Sequence, residues 1–342
     1  MVLQETTAPA RENATDEVLV GPQWLDDHLQ DPGIRVVEVD VSPAAYDEGH
    51  IEGASLWNIY QDLKDPTYRP VDTATVQSLM TRSGIEAGTT VVFYGYAPAM
   101  GFWLMKLYRH ADVRILDCSR ATWEQAGRPW STEPSTPPTT RYPLPRPDER
   151  IRAELPAVRQ AIADPGCTIV DVRTSPEFDG ERFWPSGGLQ PGGRAGHIPA
   201  ATSASIEGLY DAQGSFRSAA EARALFAPID PSGTGEVITS CTIGARACTA
   251  WFALTYLLGR EHVRVYDGSW AQWGLTPGTP VESAGSGQDP APEVAQPDGQ
   301  EQYGETEHDG VDDVQLHVRT IREHRAHAFV DVDERVDQHD GL

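Results

Sequence analysis

The sequence predicts an α/β protein of two tandem doubly wound domains, each with a central parallel sheet, followed by an acidic C-terminal tail expected to be largely disordered. Three repeated features lead there. A β-branched run ending in charge occurs as Arg35-Val-Val-Glu-Val-Asp40 and again as Thr168-Ile-Val-Asp-Val-Arg173. A Gly-His-Ile turn occurs at 49–51 and at 196–198, and Arg114-Ile-Leu-Asp117 through Trp123 recurs as Arg264-Val-Tyr-Asp267 through Trp273. The offset between copies is 133 at the strand, 147 at the turn and 150 at the tryptophan, so the second copy holds 14 extra residues, roughly the Gly/Pro-rich stretch 182–194. Matches kept in order over such a distance mark a duplication.

The first domain is expected over residues 18–130. A helix pattern at 23–29 precedes the strand Arg35–Asp40, an acidic-aromatic turn follows at Ala45-Tyr46-Asp47-Glu48, and a second run, Val91-Val-Phe-Tyr94, leads into 95–101. Strands alternating with helices build parallel βαβ units, whose ligands sit at the carboxyl ends of the strands. Residues 131–147, rich in Pro, Ser and Thr, read as an extended surface linker. The second domain, 148–282, has its first helix at about 154–163, its first strand at 168–173, its acidic-aromatic turn at Pro176-Glu177-Phe178-Asp179, and a strand at Glu236–Ser240. Beyond it, Ala247 to Leu258 reads as an apolar helix stopped by Gly259. The tail, 283–342, opens with a Gly/Ser/Pro/Gln/Asp stretch that cannot bury enough apolar surface to fold alone. Its stretch 311–336 regains some apolar character.

Charge narrows the function. The chain carries a formal charge of −24, and residues 285–342 supply −11 of it, with 15 acidic against 4 basic residues. Such a balance argues against nucleic acid, whose phosphates need Lys and Arg. An anionic substrate would need a locally built site. No stretch is apolar enough for a membrane span and no signal-peptide pattern opens the chain, so a cytoplasmic protein is expected. Cys118, Cys167, Cys241 and Cys248 fit neither a disulfide framework nor a zinc knuckle.

One cysteine has the context for chemistry. Cys241-Thr242-Ile243-Gly244-Ala245-Arg246 lies between a strand and a helix. A loop of this kind turns successive N–H groups inward at a helix N-terminus, and with Arg246 they favour a thiolate. Gly244 allows a tight turn where a Cβ would intrude. An isolated C-x-x-G-x-R string is short enough to arise by chance around a buried cysteine and a structural arginine; its place in the duplicated fold sets this one apart.

These residues resemble the rhodanese family, from Val18 to about Glu282. The marks are both Gly-His-Ile segments, the Cys241–Arg246 loop, and Tyr266-Asp-Gly-Ser-Trp270 followed by Trp273-Gly274. The resemblance is to the tandem thiosulfate sulfurtransferases of bacteria, in which only the C-terminal domain is catalytic. Here Gly95 takes the cysteine position of the first half, which leaves that half without a nucleophile and with a role in packing and cleft shape. The resemblance implies sulfur transfer through a persulfide on Cys241, from a small anionic donor to cyanide or a thiol, with no metal or organic cofactor. Thiosulfate enzymes of the family often carry a basic residue after the cysteine, and 3-mercaptopyruvate enzymes a Gly-Ser or Gly-Thr pair; Thr242 and Ile243 match neither, and thiosulfate is the preferred donor. Arg246 supplies a cation, and Arg173 matches a family arginine that reaches the substrate anion, although a structural ion pair fits it equally. Arg182 is a weaker candidate, better read as a solvated surface residue.

His50 and His197 recur in both halves, one of which lacks a cysteine, so they read as structural. Cys248 reads as packing rather than a resolving thiol, Cys118 and Cys167 as core or strand-edge residues, and Trp270 and Trp273 as core. His317, His324 and His327 form a loose cluster better read as solvated tail than as a metal site. Two rival functions remain. A phosphatase or arsenate reductase also pairs cysteine and arginine around an anion loop, but with one more residue between them. A non-catalytic scaffold or sulfur carrier, docking through the tail, is the third.

Overall fold

The computed structural model describes residues 17–283; the acidic tail from 284 on, with His317, His324 and His327, lies outside the described residues. The first half contains β1 (Leu19–Val20), β2 (Ile34–Asp40), β3 (His50–Ile51), β4 (Ser55–Asn58), β5 (Thr90–Gly95), β6 (Val113–Leu116) and β7 (Trp130–Ser131). The second contains β8 (Arg152–Ala153), β9 (Cys167–Asp171), β10 (Thr202–Ser203), β11 (Glu236–Ser240) and β12 (Val263–Tyr266). Two five-stranded parallel sheets result, ordered β1-β6-β5-β2-β4 and β10-β9-β11-β12-β8. Read from opposite ends the two orders are the same, so the duplication extends to topology. Of the six inner strands, β2, β5, β9 and β11 match the β-branched runs of the sequence within one or two residues.

Strand alternation sends neighbouring side chains to opposite faces, and β5 shows it. Val91 and Phe93 join one apolar cluster with helices Thr73–Arg82 and Pro98–Leu107, while Val92 and Tyr94 join another with Leu25 and Trp123 of helices Pro22–His28 and Arg120–Gln125. Helices therefore cover both faces, as a doubly wound sheet requires. The first cluster runs on into the second half. Fully buried Phe102 meets Phe252 at 5.0 Å and Tyr256 at 5.2 Å between ring centroids, so helix 98–107 packs directly on the helix that follows the cysteine loop. That helix is α-helical only over Ala245–Phe252; residues Ala253–Leu257 continue as a π-helical turn before Gly259. The linker is better anchored than its composition implies. Ser131 pairs with His50 in a small antiparallel ribbon, and Tyr142 is buried with its hydroxyl 2.7 Å from His110 Nδ1.

Each half also sends a turn across to the other, a feature not read in the sequence. Lys64 bridges Pro70, and Tyr210 bridges Phe216, at an offset of 146. The hydrogen bonds repeat with it: Asp65 N–H donates to Arg69 O as Asp211 N–H does to Ser215 O, and Val71 N–H to Leu63 O as Arg217 N–H to Leu209 O. The second arm docks on the first half, where Ser119 N–H donates to Gln213 O at 2.8 Å and Phe216 N–H to Asp117 Oδ1 at 2.7 Å. The first arm docks on the second half, where Lys64 Nζ donates to Asp267 O at 2.6 Å. Asp117 and Asp267 are themselves duplicate positions.

Candidate active site

β11 is an inner strand flanked by β9 and β12, and it delivers Cys241 to the carboxyl edge of the second sheet. The chain then turns through Gly244 at φ +93°, and helix Ala245–Phe252 begins. A Cβ on residue 244 would stand 2.7 Å from Asp267 O, so only glycine fits both the torsion and the space. Gly244 N–H points back into the loop and donates to Cys241 Sγ at 3.1 Å. The helix has no side-chain cap, and the N–H groups of Ala245, Arg246 and Ala247 have no intrahelical acceptor, being its first three. The loop is seated from below by Trp270 N–H on Cys241 O and Ala271 N–H on Thr242 O, at 2.9 and 2.8 Å. Ser269 Oγ accepts Cys241 N–H at 3.1 Å and lies 4.0 Å from Sγ. Cys241 itself is 1 % exposed.

The far end of the loop is locked by a carboxylate that sequence reasoning read only as part of a turn. Glu177 is fully buried. Arg246 Nη1 donates to its Oε2 at 2.8 Å and Nη2 to its Oε1 at 2.7 Å, in the bidentate geometry that makes such pairs strong. Thr242 Oγ1 donates to Oε1 at 2.7 Å and accepts Arg246 Nη2 at 2.7 Å. Burial pushes the Glu177 carboxyl up, but the hydrogen bonds and charge of Arg246, with Thr242 and Arg173, outweigh it and hold it down at about 2. Burial likewise opposes the Arg246 charge and is outweighed by Glu177.

Of the predicted anion-binding arginines, only Arg246 stands in the loop. Arg173 is closed to solvent; Nε and Nη2 grip Asp171 at 2.7–3.0 Å, Nη2 also reaches Gly196 O, and the guanidinium lies 4.8 Å from the Trp270 ring centre. This is the ion-pair alternative. A strand places residues two apart on one side, so Asp171-x-Arg173 is the signal that favoured it. Arg182 is half-buried rather than solvated, and Nη2 donates to Thr174 Oγ1, which in turn donates to Glu177.

Both Gly-His-Ile histidines have the same structural surroundings. His50 stacks on Tyr46 and His197 on Phe178, each at 3.7 Å, and each Nδ1 is 2.8 Å from that residue's carbonyl. The three other cysteines are held in the thiol form by burial, which pushes Cys118 up to about 11, Cys167 to about 12 and Cys248 well above the usual range. Trp270 and Trp273 are core.

The two halves also meet through aromatic side chains. Tyr68 of the first arm faces Trp184, from the stretch that the second copy adds, at 5.9 Å between centroids. Tyr60 lies within electrostatic reach of Cys241, and Tyr96 of Arg246. Strand register puts Gly95 in the cysteine position: Glu38 pairs with Tyr94 as Asp171 pairs with Ser240. Tyr96 thus occupies the Thr242 position of the first-half loop, at 41 % exposure. Lys64, Glu177 and Ser269 were missed because their partners are 203, 69 and 28 residues away. Among the described residues no helix is long and apolar enough to cross a membrane.

Known proteins share this arrangement. The model of the rhodanese-like domain matches residues 21–126 and again 154–276. The sulfur carrier protein TtuD of Thermus thermophilus is 39% identical over 277 residues, covering 78% of this chain and 97% of that one. A Haloferax volcanii protein named "Putative thiosulfate sulfurtransferase" is 40% identical over 276 residues, covering 78% and 96%. Among solved structures, YnjE superposes with a TM-score of 0.66 at 27% identity, over 78% of this chain and 68% of that one. Wild-type EanB, at 23% identity, shares the fold with a TM-score of 0.68 over 78% and 69%. With a matching domain in each half and relatives spanning both, the chain belongs to the rhodanese family, as a tandem-domain sulfurtransferase of that family.

Proposed function

We propose that the protein transfers the sulfane sulfur of thiosulfate to cyanide or a thiol acceptor through a persulfide on Cys241, and that it works in the cytoplasm, where thiols stay reduced. The observation that carries this reading is the Gly244 N–H held 3.1 Å from Cys241 Sγ at the N-terminus of an uncapped helix. The thiolate attacks the outer sulfur of thiosulfate; the Sγ–S bond forms as the S–S bond of thiosulfate breaks, and sulfite leaves with the bonding pair. The persulfide anion stays among the N–H groups of residues 244–247, which stabilise charge on either sulfur. Cyanide or a thiolate then attacks the outer sulfur, and the electrons of the Sγ–S bond return to Sγ. No proton transfer, metal or organic cofactor enters either step.

Thiosulfate is favoured over 3-mercaptopyruvate because the Arg246 fork is spent on Glu177 and Arg173 is enclosed, so neither guanidinium is free to grip a carboxylate. Dispersed N–H donors suit sulfite-like oxygens instead. The same engagement of Arg246 weakens the phosphatase reading, which needs that fork on a phosphate. Arg182, behind Thr174, acts in holding the Glu177–Arg246 pair. A sulfur-carrier role uses the same persulfide with a protein as acceptor, and the TtuD relative favours it as the second reading. Intact mass after thiosulfate and then cyanide tests the proposal. One sulfur atom should be gained, lost to cyanide, and absent in Cys241→Ser. No gain with thiosulfate would overturn the donor, and no gain with 3-mercaptopyruvate either would overturn the mechanism. A persulfide inert to cyanide and small thiols would select the carrier.

A further inference from the structure

We infer that Lys64, carried across the cleft by the half that has no nucleophile, is the positioning cation of the Cys241 loop, holding its base and setting a fixed positive charge beside the anionic sulfur. The inference rests on the sulfur-transfer reading for its purpose but not for its geometry.

Place comes first. Lys64 is 5 % exposed, and its Nζ donates to Asp267 O at 2.6 Å. A Cβ built on Gly244 would meet that carbonyl at 2.7 Å and Nζ at 3.1 Å, so the ammonium lies against the backbone whose N–H is bonded to Sγ. The groups around it are few. The Asp267 carboxylate is taken by Arg152, which also pairs with Glu154. Arg246 is neutralised by Glu177 on the other side of the loop. The buried thiol of Cys248 and the sulfur of Cys241 complete the surroundings. Burial pulls the Lys64 ammonium below its usual range, while Asp267 and the sulfur of Cys241 pull it back. A negative sulfur and a positive Nζ therefore support each other.

The duplication supplies an internal control. The two arms match bond for bond, and the position equivalent to Lys64 is Tyr210. The loop with a cysteine receives a cation, whereas Tyr210 brings no charge to the first half and bonds its hydroxyl to Thr249. Residue choice agrees: the chain uses arginine 25 times and lysine twice. A compact ammonium fits against a glycine backbone where a planar guanidinium would not. Burying it is costly unless its charge is used.

The test uses the full-length protein with Lys64→Gln, which keeps reach and a donor for Asp267 O but no charge, and Lys64→Met, which keeps neither. Alkylation of Cys241 by iodoacetamide, located by peptide mass and followed across pH, reports on the sulfur without requiring sulfur transfer. Both variants should alkylate about tenfold more slowly near neutral pH, with the difference narrowing as pH rises. Thermal melting verifies that each variant is folded at the assay temperature, and the Gln variant carries the test should Met fail to fold. Wild-type alkylation rates in Lys64→Gln would overturn the inference by reducing Lys64 to a hydrogen-bond donor. The two readings separate cleanly. A wild type that takes no sulfur from thiosulfate, yet whose alkylation depends on Lys64, removes the sulfur-transfer reading and leaves Lys64 in place. A wild type that takes sulfur, with alkylation independent of Lys64, does the reverse.

Discussion

Glu177→Gln tests how the Cys241–Arg246 loop is held. The amide is isosteric with the protonated acid, so the substitution imitates neutralising the carboxylate. With the acid held at about 2 against an ordinary 4.5, a difference of about 2.5 units corresponds to about 3 kcal/mol favouring the folded, ionised state. That agrees with the ~3–5 kcal/mol lost when one partner of a buried ion pair is removed. A cost of this size should lower the melting temperature by about 6–12 °C at neutral pH. The sign on acidification follows from the depressed value. The contribution is complete above about pH 4.5 and is lost as pH falls from there toward 2, because the unfolded chain takes up the proton first. Wild type and variant should therefore converge, by roughly 1–2 kcal/mol already at pH ~3.5, in parallel melts from pH 7 downward. Persulfide yield should fall with stability, since Thr242 and Arg246 lose their common anchor. A penalty below about 1 kcal/mol at pH 7, or a gap that stays constant down to acid pH, would refute the reasoning.

Gly244→Ala forces a side chain into φ +93° and against Asp267 O; it should cost about 1–3 kcal/mol and displace the N–H from Sγ, so sulfur loading read by mass should slow far more than the melt changes. Gly95→Cys should not create a second site, because its Cβ would stand 2.9 Å from Glu38 Cγ at φ +103° and Met100 takes the arginine position; a second cyanide-labile sulfur would contradict this. Arg173→Met should lose about 3–5 kcal/mol of stability by leaving Asp171 unpaired while KM for thiosulfate changes by no more than about twofold. A large rise in KM with an unchanged melt would return Arg173 to substrate binding.

Much of the architecture was legible because it depends on local pattern. Buried parallel strands are short β-branched runs, and the duplication fixed their order, so β2, β9 and β11 were found within one or two residues. Cys241 and Gly244 were legible for the same reason: a strand, a loop with glycine at the tight turn, and a helix are contiguous in sequence. What supports the loop was not. Glu177 reads as one acid in an acidic-aromatic turn until the fold brings Arg246 to it from 69 residues away. Pattern reads the apolar run 247–258 as one regular helix and does not report the change to π-helical bonding after Phe252, where Phe252 and Tyr256 crowd around Phe102. For Arg173 the sequence leaves a structural ion pair and a substrate contact equally open, and the fold sets its guanidinium on Asp171, two residues away.

The duplication also explains why a half without a nucleophile is kept. At one strand position both halves bury a carboxylate, Glu38 in β2 and Asp171 in β9, and each is paired with a different arginine. Arg120 reaches Glu38 from the helix after β6, whereas Arg173 reaches Asp171 from two residues along its own chain. Burying either carboxylate unpaired would be costly, so the two loops cannot be exchanged by altering one residue. The arms show what the first half contributes instead. The second arm ends at Gly214, with φ +79°, where only a glycine fits against Ser119. The matching residue of the first arm is Tyr68, held at φ +63°, a backbone conformation that a tyrosine adopts only at a cost. That cost places an aromatic ring opposite Trp184 of the second half, and the same arm carries Lys64 to the base of the cysteine loop. One arm docks through backbone hydrogen bonds, while the other brings a strained tyrosine and a buried charge to the half that holds Cys241.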